Sequence, residues 1–188
     1  MNSSLTFSAV LLAGGRSVRM GTDKALLSVE GRALWERQWA LLDELNVTQK
    51  FLSARPEQMW APTNIEIVHD SIADAGPLAG IAAAMVRATT THLIVLAVDL
   101  PQMQAEWFET LQDGCALDVG AVGKRDGFYE PLAAIYPCSL REAAEQALRS
   151  EERSLQRFIA QAGSAMKSRE ITAEQAGLFA NWNQPSDA

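Results

Sequence analysis

The chain has 188 residues, a formal net charge of −7, 48% hydrophobic content and two cysteines. That length fits one domain with a sizeable core, and the acidic balance excludes a general nucleic-acid or membrane-surface binder, which would be basic. No apolar run approaches the roughly 20 residues of a membrane helix, and Met1-Asn2-Ser3-Ser4 lacks the charged and apolar regions of a signal peptide, so the chain reads as soluble and cytoplasmic.

Phe7–Leu12 is a continuous apolar run and predicts a buried strand. It breaks at once into Gly14-Gly15 and a basic loop holding Arg16, Arg19 and Lys24. A strand that opens into a glycine-rich basic loop brings backbone N–H groups and cations up to phosphates. The spacing is not that of the two commonest phosphate loops. A P-loop needs Lys directly after its last Gly, then Ser or Thr; here Thr22-Asp23 separate Gly21 from Lys24, and Ala25 follows. The dinucleotide fingerprint needs G-x-G-x-x-G at a helix start; here Gly14-Gly15 are adjacent, and 16–24 is too polar for a core-facing helix.

Leu34, Trp35, Gln38, Leu41, Leu42 and Leu45 keep helical spacing and predict a helix over 33–45, with Trp35 and Trp39 in the core or on a partner-facing surface. Strands over 50–54 and 65–68 follow, then a turn at Gly76-Pro77 and an alanine-rich helix over 78–88. The near-continuous apolar run 92–98 has the signature of a central strand covered on both faces. Beyond it lie a helix over 106–111 and strands over 119–123 and 132–136. Helices over 139–149 and 154–162 are each opened by a serine able to serve as N-cap. A strand over 166–171 follows, and 178–182 precedes a loop with Pro185. This alternation predicts an α/β three-layer sandwich, a mostly parallel sheet with helices on both faces. Ligands gather at the carboxyl ends of such strands, so the first loop, Asp70 and Asp99 share one edge.

Asp99 ends the central apolar run and precedes Leu100-Pro101. A carboxylate there can take one position on Mg²⁺ while triphosphate oxygens and waters fill the rest; an Asp capping the turn before Pro is the plainer alternative. His69 and His92 have no Ser or Cys partner arranged for a triad and receive no catalytic role. Cys115 and Cys138 form no C-x-x-C pair and read as reduced thiols.

The string L-A-G-G-x-S-x-R-M-G-x-D-K over 12–24 resembles the nucleotidyltransferase superfamily of sugar-phosphate nucleotidylyltransferases and molybdenum cofactor guanylyltransferases, and its Arg-Met-Gly-x-Asp-Lys ending is similar to the latter. His69-Asp70-Ser71, with Gly76-Pro77-Leu78-Ala79-Gly80-Ile81 after it, resembles the guanylyltransferase pattern too. So does the N-x-N-x-P element Asn181-Trp182-Asn183-Gln184-Pro185. The resemblance implies a Rossmann-like nucleotidyltransferase domain, with a nucleotide-binding half over about 7–100 and an acceptor-binding half over about 101–185. It implies transfer of GMP from GTP to the terminal phosphate of molybdopterin, with release of pyrophosphate. Leu12, Ala13, Gly14, Gly15, Lys24, Asp70, Gly80 and Asp99 are then the GTP-binding residues. Lys24, Arg19 and Asp99 carry catalysis, Asp99 and Asn183 hold Mg²⁺, and Lys124, Arg125, Tyr129 and Glu130 face the acceptor.

A carboxylate at Asp70 suits guanine, whose N1–H and 2-amino group are paired donors. Partners implied besides GTP and molybdopterin are molybdoenzyme chaperones or other cofactor-biosynthesis proteins. One departure concerns the base: Ser53-Ala54-Arg55-Pro56 stands where the family commonly has an asparagine, which leaves Asp70 and backbone groups to read it, with Ser53 or Arg55 assisting. Three alternatives stay open: a cytidylyltransferase on the same pterin, a sugar-1-phosphate nucleotidylyltransferase, and a non-catalytic nucleotide-binding carrier module.

Overall fold

The computed structural model describes residues 4–15, 23–58, 60–70, 72, 75–150 and 153–182. In chain order the strands are β1 (Phe7–Leu12), β2 (Ser28–Val29), β3 (Arg32–Ala33), β4 (Gln49–Ser53), β5 (Glu66–Val68), β6 (His92–Ala97), β7 (Gly120–Arg125), β8 (Phe128–Pro137) and β9 (Met166–Glu170). The helices are α1 (Leu34–Glu44), α2 (Pro77–Arg87), α3 (Ala105–Gln112), α4 (Arg141–Arg149) and α5 (Leu155–Ala162).

One sheet takes seven strands in the order β5-β4-β1-β6-β8-β7-β9. β1, β4, β5 and β6 pair in parallel, and the apolar runs of β1 and β6 follow from burial on both faces. In β1, Ala9 and Leu11 enter one core with Leu34, Leu41 and Leu42 of α1 and Trp107, Phe108 and Leu111 of α3. Val10 and Leu12 enter the other, with Leu78, Ile81 and Met85 of α2, Leu148 of α4 and Phe158 of α5. Helices therefore cover both faces, as predicted. No helix among the described residues is long and apolar enough to cross a membrane.

β8 departs from the parallel scheme. It runs antiparallel to both β6 and β7 and separates them. The β7–β8 connection is a two-residue turn, Asp126-Gly127, with φ of 51° and 84°, the mirror-image geometry that fits the twist of paired strands. Ala121 pairs with Ile135 but Gly123 with Glu130, so β8 carries extra residues around Pro131; a proline has no N–H for the ladder and belongs at such an irregularity. Both strands are longer than the sequence predicts because their outer ends, polar and proline-interrupted, carry no apolar alternation.

Two smaller expectations change. Ser139 does not cap α4: a 3₁₀ turn over Cys138–Leu140 leads directly into the helix, whose flanking residue is Leu140. Ser154 does cap α5, accepting from Arg157 N. The β2–β3 hairpin, turning at Glu30-Gly31, has no counterpart among the sequence expectations, since two-residue strands have no period to read.

Candidate active site

The β1, β4 and β6 strands end level with one another, with Leu12 beside Ser53 on one side and Ala97 on the other. The loop leaving β1 stays fastened to both neighbours: Ala13 N donates to Ser53 O at 2.9 Å, and Val98 N donates to Leu12 O at 3.0 Å. Beside this turn opens a cleft of about 630 Å³, within the range of small-molecule sites. A Cβ on Gly15 would meet nothing within 4 Å, so that glycine faces open space.

Lys24 begins a 3₁₀ turn capped by Asp23, whose carboxylate accepts from Ala25 N at 3.1 Å. The Lys24 Nζ lies 3.5 Å from Asp99 Oδ2, and the two side chains are only 22% and 25% exposed. Asp99 is held by its setting. Arg37 Nε and Gln38 Nε2 of α1 donate to the carbonyls of Pro101 and Leu100 just beyond it, and Trp182 N donates to Asp99 O at 3.1 Å.

Opposite, Asp70 follows β5, and burial pushes its carboxyl above the ordinary value of 3.8 while neighbouring His69 pulls the other way. The His69 ring is fixed by its Nδ1 against Ala54 O at 2.8 Å. Gly76, at φ 74°, turns the chain into α2, a backbone region that favours glycine. Gly76, Pro77 and Gly80 line the cleft with Lys24 and Arg55, and a helix N-terminus without a side-chain cap among the described residues suits an anion beside those cations. Gly80 has a packing role too: a Cβ there would overlap Ser53 Oγ and sit 2.9 Å from Leu12 Cδ2.

Leu12, Ala13, Gly14, Gly15, Lys24, Asp70, Gly80 and Asp99 thus all line the same cleft. Arg19 and Asn183 lie outside the described residues. Ser53, Arg55, Pro56, Glu57 and Leu132 are among the other wall residues. A second cavity of about 560 Å³, between α1 and α3, contains none of the candidate residues. As a metal site, one carboxylate with room for phosphate oxygens and water matches what Mg²⁺ takes from nucleotide enzymes. Among the described residues no group of three or more His, Cys, Asp or Glu side chains gathers that could hold a metal ion.

The acceptor candidates form a separate cluster on the β7–β8 hairpin, at the same sheet edge as Asp99. Lys124 Nζ sits 5.5 Å from the centre of the Tyr129 ring. Arg125 is engaged by Glu130 at 3.4 Å and by Ala176 O at 3.4 Å, and burial raises the Glu130 carboxyl against the opposing pull of Arg125.

Residues 9–166 match the model of the MobA-like NTP transferase domain. This chain belongs to the MobA-like NTP transferases. Within that family it is 41% identical to the probable molybdenum cofactor guanylyltransferase of Opitutus terrae, over 99% of this chain and 94% of the relative. It is 34% identical to the molybdenum cofactor guanylyltransferase of Pseudomonas fluorescens, over 86% of this chain and 83% of that one. Its fold matches the crystal structure of molybdopterin-guanine dinucleotide biosynthesis protein A from Archaeoglobus fulgidus, with a TM-score of 0.76 and 24% identity over 96% of this chain and 94% of that one. An NTP transferase fold therefore carries the cleft, and its open end is the carboxyl edge of the sheet.

Proposed function

We propose that this enzyme transfers GMP from GTP to the terminal phosphate of molybdopterin and releases pyrophosphate. The observation that carries the reading is the Lys24–Asp99 pair beside the Ala13–Gly15 turn, in one cleft with Asp70. The curated relatives named for this activity support it along nearly the whole chain.

The acceptor phosphate has a second pKa of about 6 and is largely dianionic at neutral pH, so no general base is required. Its oxygen forms a bond to the α-phosphorus of GTP as the bond from that phosphorus to the β-phosphate oxygen breaks, and the electron pair leaves with pyrophosphate. The protein supplies position and charge. Lys24 neutralises charge building on the α-phosphate and on the departing pyrophosphate, with Arg19 as its candidate partner. N–H groups of the Ala13–Gly15 turn cradle the phosphates. Asp70, ionised, accepts from guanine N1–H and the 2-amino group. Asp99 would hold Mg²⁺, with Asn183 as the second candidate ligand, and the ion would supply positive charge against the phosphates. Lys124 and Tyr129 receive the acceptor from the hairpin side.

The test is a panel of GTP, CTP and ATP against molybdopterin and a sugar 1-phosphate, with Mg²⁺, read as pyrophosphate release. GTP with molybdopterin alone is expected to turn over. Use of CTP in place of GTP would overturn the base assignment, and use of the sugar phosphate would overturn the acceptor. Nucleotide protection against thermal unfolding with no turnover would make the chain a binding module.

A further inference from the structure

Gln58 belongs to neither the walls of the cleft nor any element around it, yet its side chain is almost fully buried, at 7% exposure. Its carboxamide is used at both ends. Nε2 donates to Ala13 O at 2.9 Å and to Asp23 Oδ2 at 2.6 Å, and Oε1 accepts from Arg55 N at 2.6 Å. Asp23 in turn caps the turn that begins at Lys24 and also accepts from Trp60 Nε1 at 2.8 Å.

One amide therefore bonds the turn that leaves β1, the cap before Lys24 and the loop that leaves β4. An aspartate alone cannot do this, because a carboxylate has no N–H for Ala13 O. We infer that Gln58 is the positioning residue that sets Lys24 and the Ala13–Gly15 N–H groups in mutual register at the nucleotide phosphates. It touches no phosphate itself and acts through Asp23 and Ala13. This inference rests on the transfer reaction proposed above. Reacting groups displaced by about 1 Å lose rate by up to about 100-fold, so a fault in the register falls on turnover, whereas the acceptor, bound from the β7–β8 hairpin, is left alone.

The experiment uses Gln58→Ala and Gln58→Glu in the full chain. For Gln58→Ala, kcat is expected to fall about 10- to 100-fold with KM for molybdopterin within about two-fold of wild type. Gln58→Glu separates positioning from mere folding. The ionised carboxyl would face Asp23 and Ala13 O with no donor, while the protonated form regains one; Asp23 is the charged group its carboxamide touches, and Lys24 and Arg55 are the cations that line the adjoining cleft. The Asp23 charge raises the pKa of the introduced carboxyl. Activity relative to wild type is thus expected to rise as pH falls from about 8 to about 6, and Gln58→Ala should show no such rise. A Gln58→Ala enzyme with wild-type kcat, or a Gln58→Glu enzyme whose pH profile follows wild type, overturns the inference. If wild type releases no pyrophosphate, the transfer reaction is overturned instead, and GTP affinity of the same variants across the same pH values then tests the register of the phosphate site by itself.

Discussion

Gly80→Ala puts a number on how closely α2 is set against the sheet. The new Cβ would overlap Ser53 Oγ and lie 2.9 Å from Leu12 Cδ2 and 3.1 Å from Ser53 Cβ. Ser53 and Leu12 are both buried, at 4% and 9% exposure, so neither can swing into solvent. Overpacking of this kind costs about 2–3 kcal/mol, the upper part of its usual range. Replacing a helical Gly by Ala returns about 1 kcal/mol. The net loss is about 1–2 kcal/mol, which for a chain of this size lowers Tm by about 2–8 °C. Thermal unfolding without nucleotide reads it directly. A cycle with Ser53→Ala isolates the cause: removing the hydroxyl should restore about 1 kcal/mol to the Gly80→Ala protein beyond its effect in wild type. A Tm at or above wild type, or strictly additive single effects, would refute this account and leave Gly80 as a residue that only clears space for ligand.

Asp99→Asn should lower kcat by at least about 100-fold while calorimetry still detects GTP binding, because the cradle and Lys24 remain; loss of binding with turnover would contradict that division of roles. In the role proposed for it Asp70 must be ionised to accept from guanine, and its pKa is raised by burial, so acidification should weaken GTP binding at a pH above 3.8. Asp70→Asn should abolish that inflection, and its persistence would move guanine recognition elsewhere. The same upward shift means that ionised Asp70 opposes folding: the stability it contributes is whole below the unfolded pKa and is lost as pH rises through the folded one. Gly127→Ala, at φ 84° in the hairpin turn, should cost about 1–2 kcal/mol, read as a fall in Tm. An unchanged Tm would mean the turn relaxes freely.

What the sequence made legible was whatever depends on local pattern. β1 and β6 declare themselves because strands covered on both faces are apolar throughout. Asp99 could be placed at the ligand edge because it follows such a strand, and Asp70 because it follows the parallel strand β5. The direction of β8 could not be read, since Ala133–Ala134–Ile135 looks the same whichever way it pairs. Pro131 further disguised the outer half of the strand, which is paired despite it. Ser139 has the chemistry of a cap, but the 3₁₀ turn at Cys138 occupies its place. In the site, Lys24 was visible from its motif. Gln58 was not, because its meaning lies in Ala13, Asp23 and Arg55 meeting around it, and no spacing along the chain encodes that meeting. Arg125, expected at the acceptor, has its charge engaged by Glu130 and Ala176, which a sequence cannot report.

The position of β8 also bears on how the chain is made. β6, Leu93-Ile94-Val95-Leu96 at its heart, finds one partner in β1, already synthesised, and the other only in residues 133–137. Roughly 40 residues separate the two, so at ribosomal speeds of about 5–20 residues per second the strand waits about 2–8 s with one ladder edge open. An open apolar edge is a template for a neighbouring chain. The nascent protein is open to aggregation in that interval, after β1, β4, β5 and β6 are complete and before the hairpin arrives to seal them.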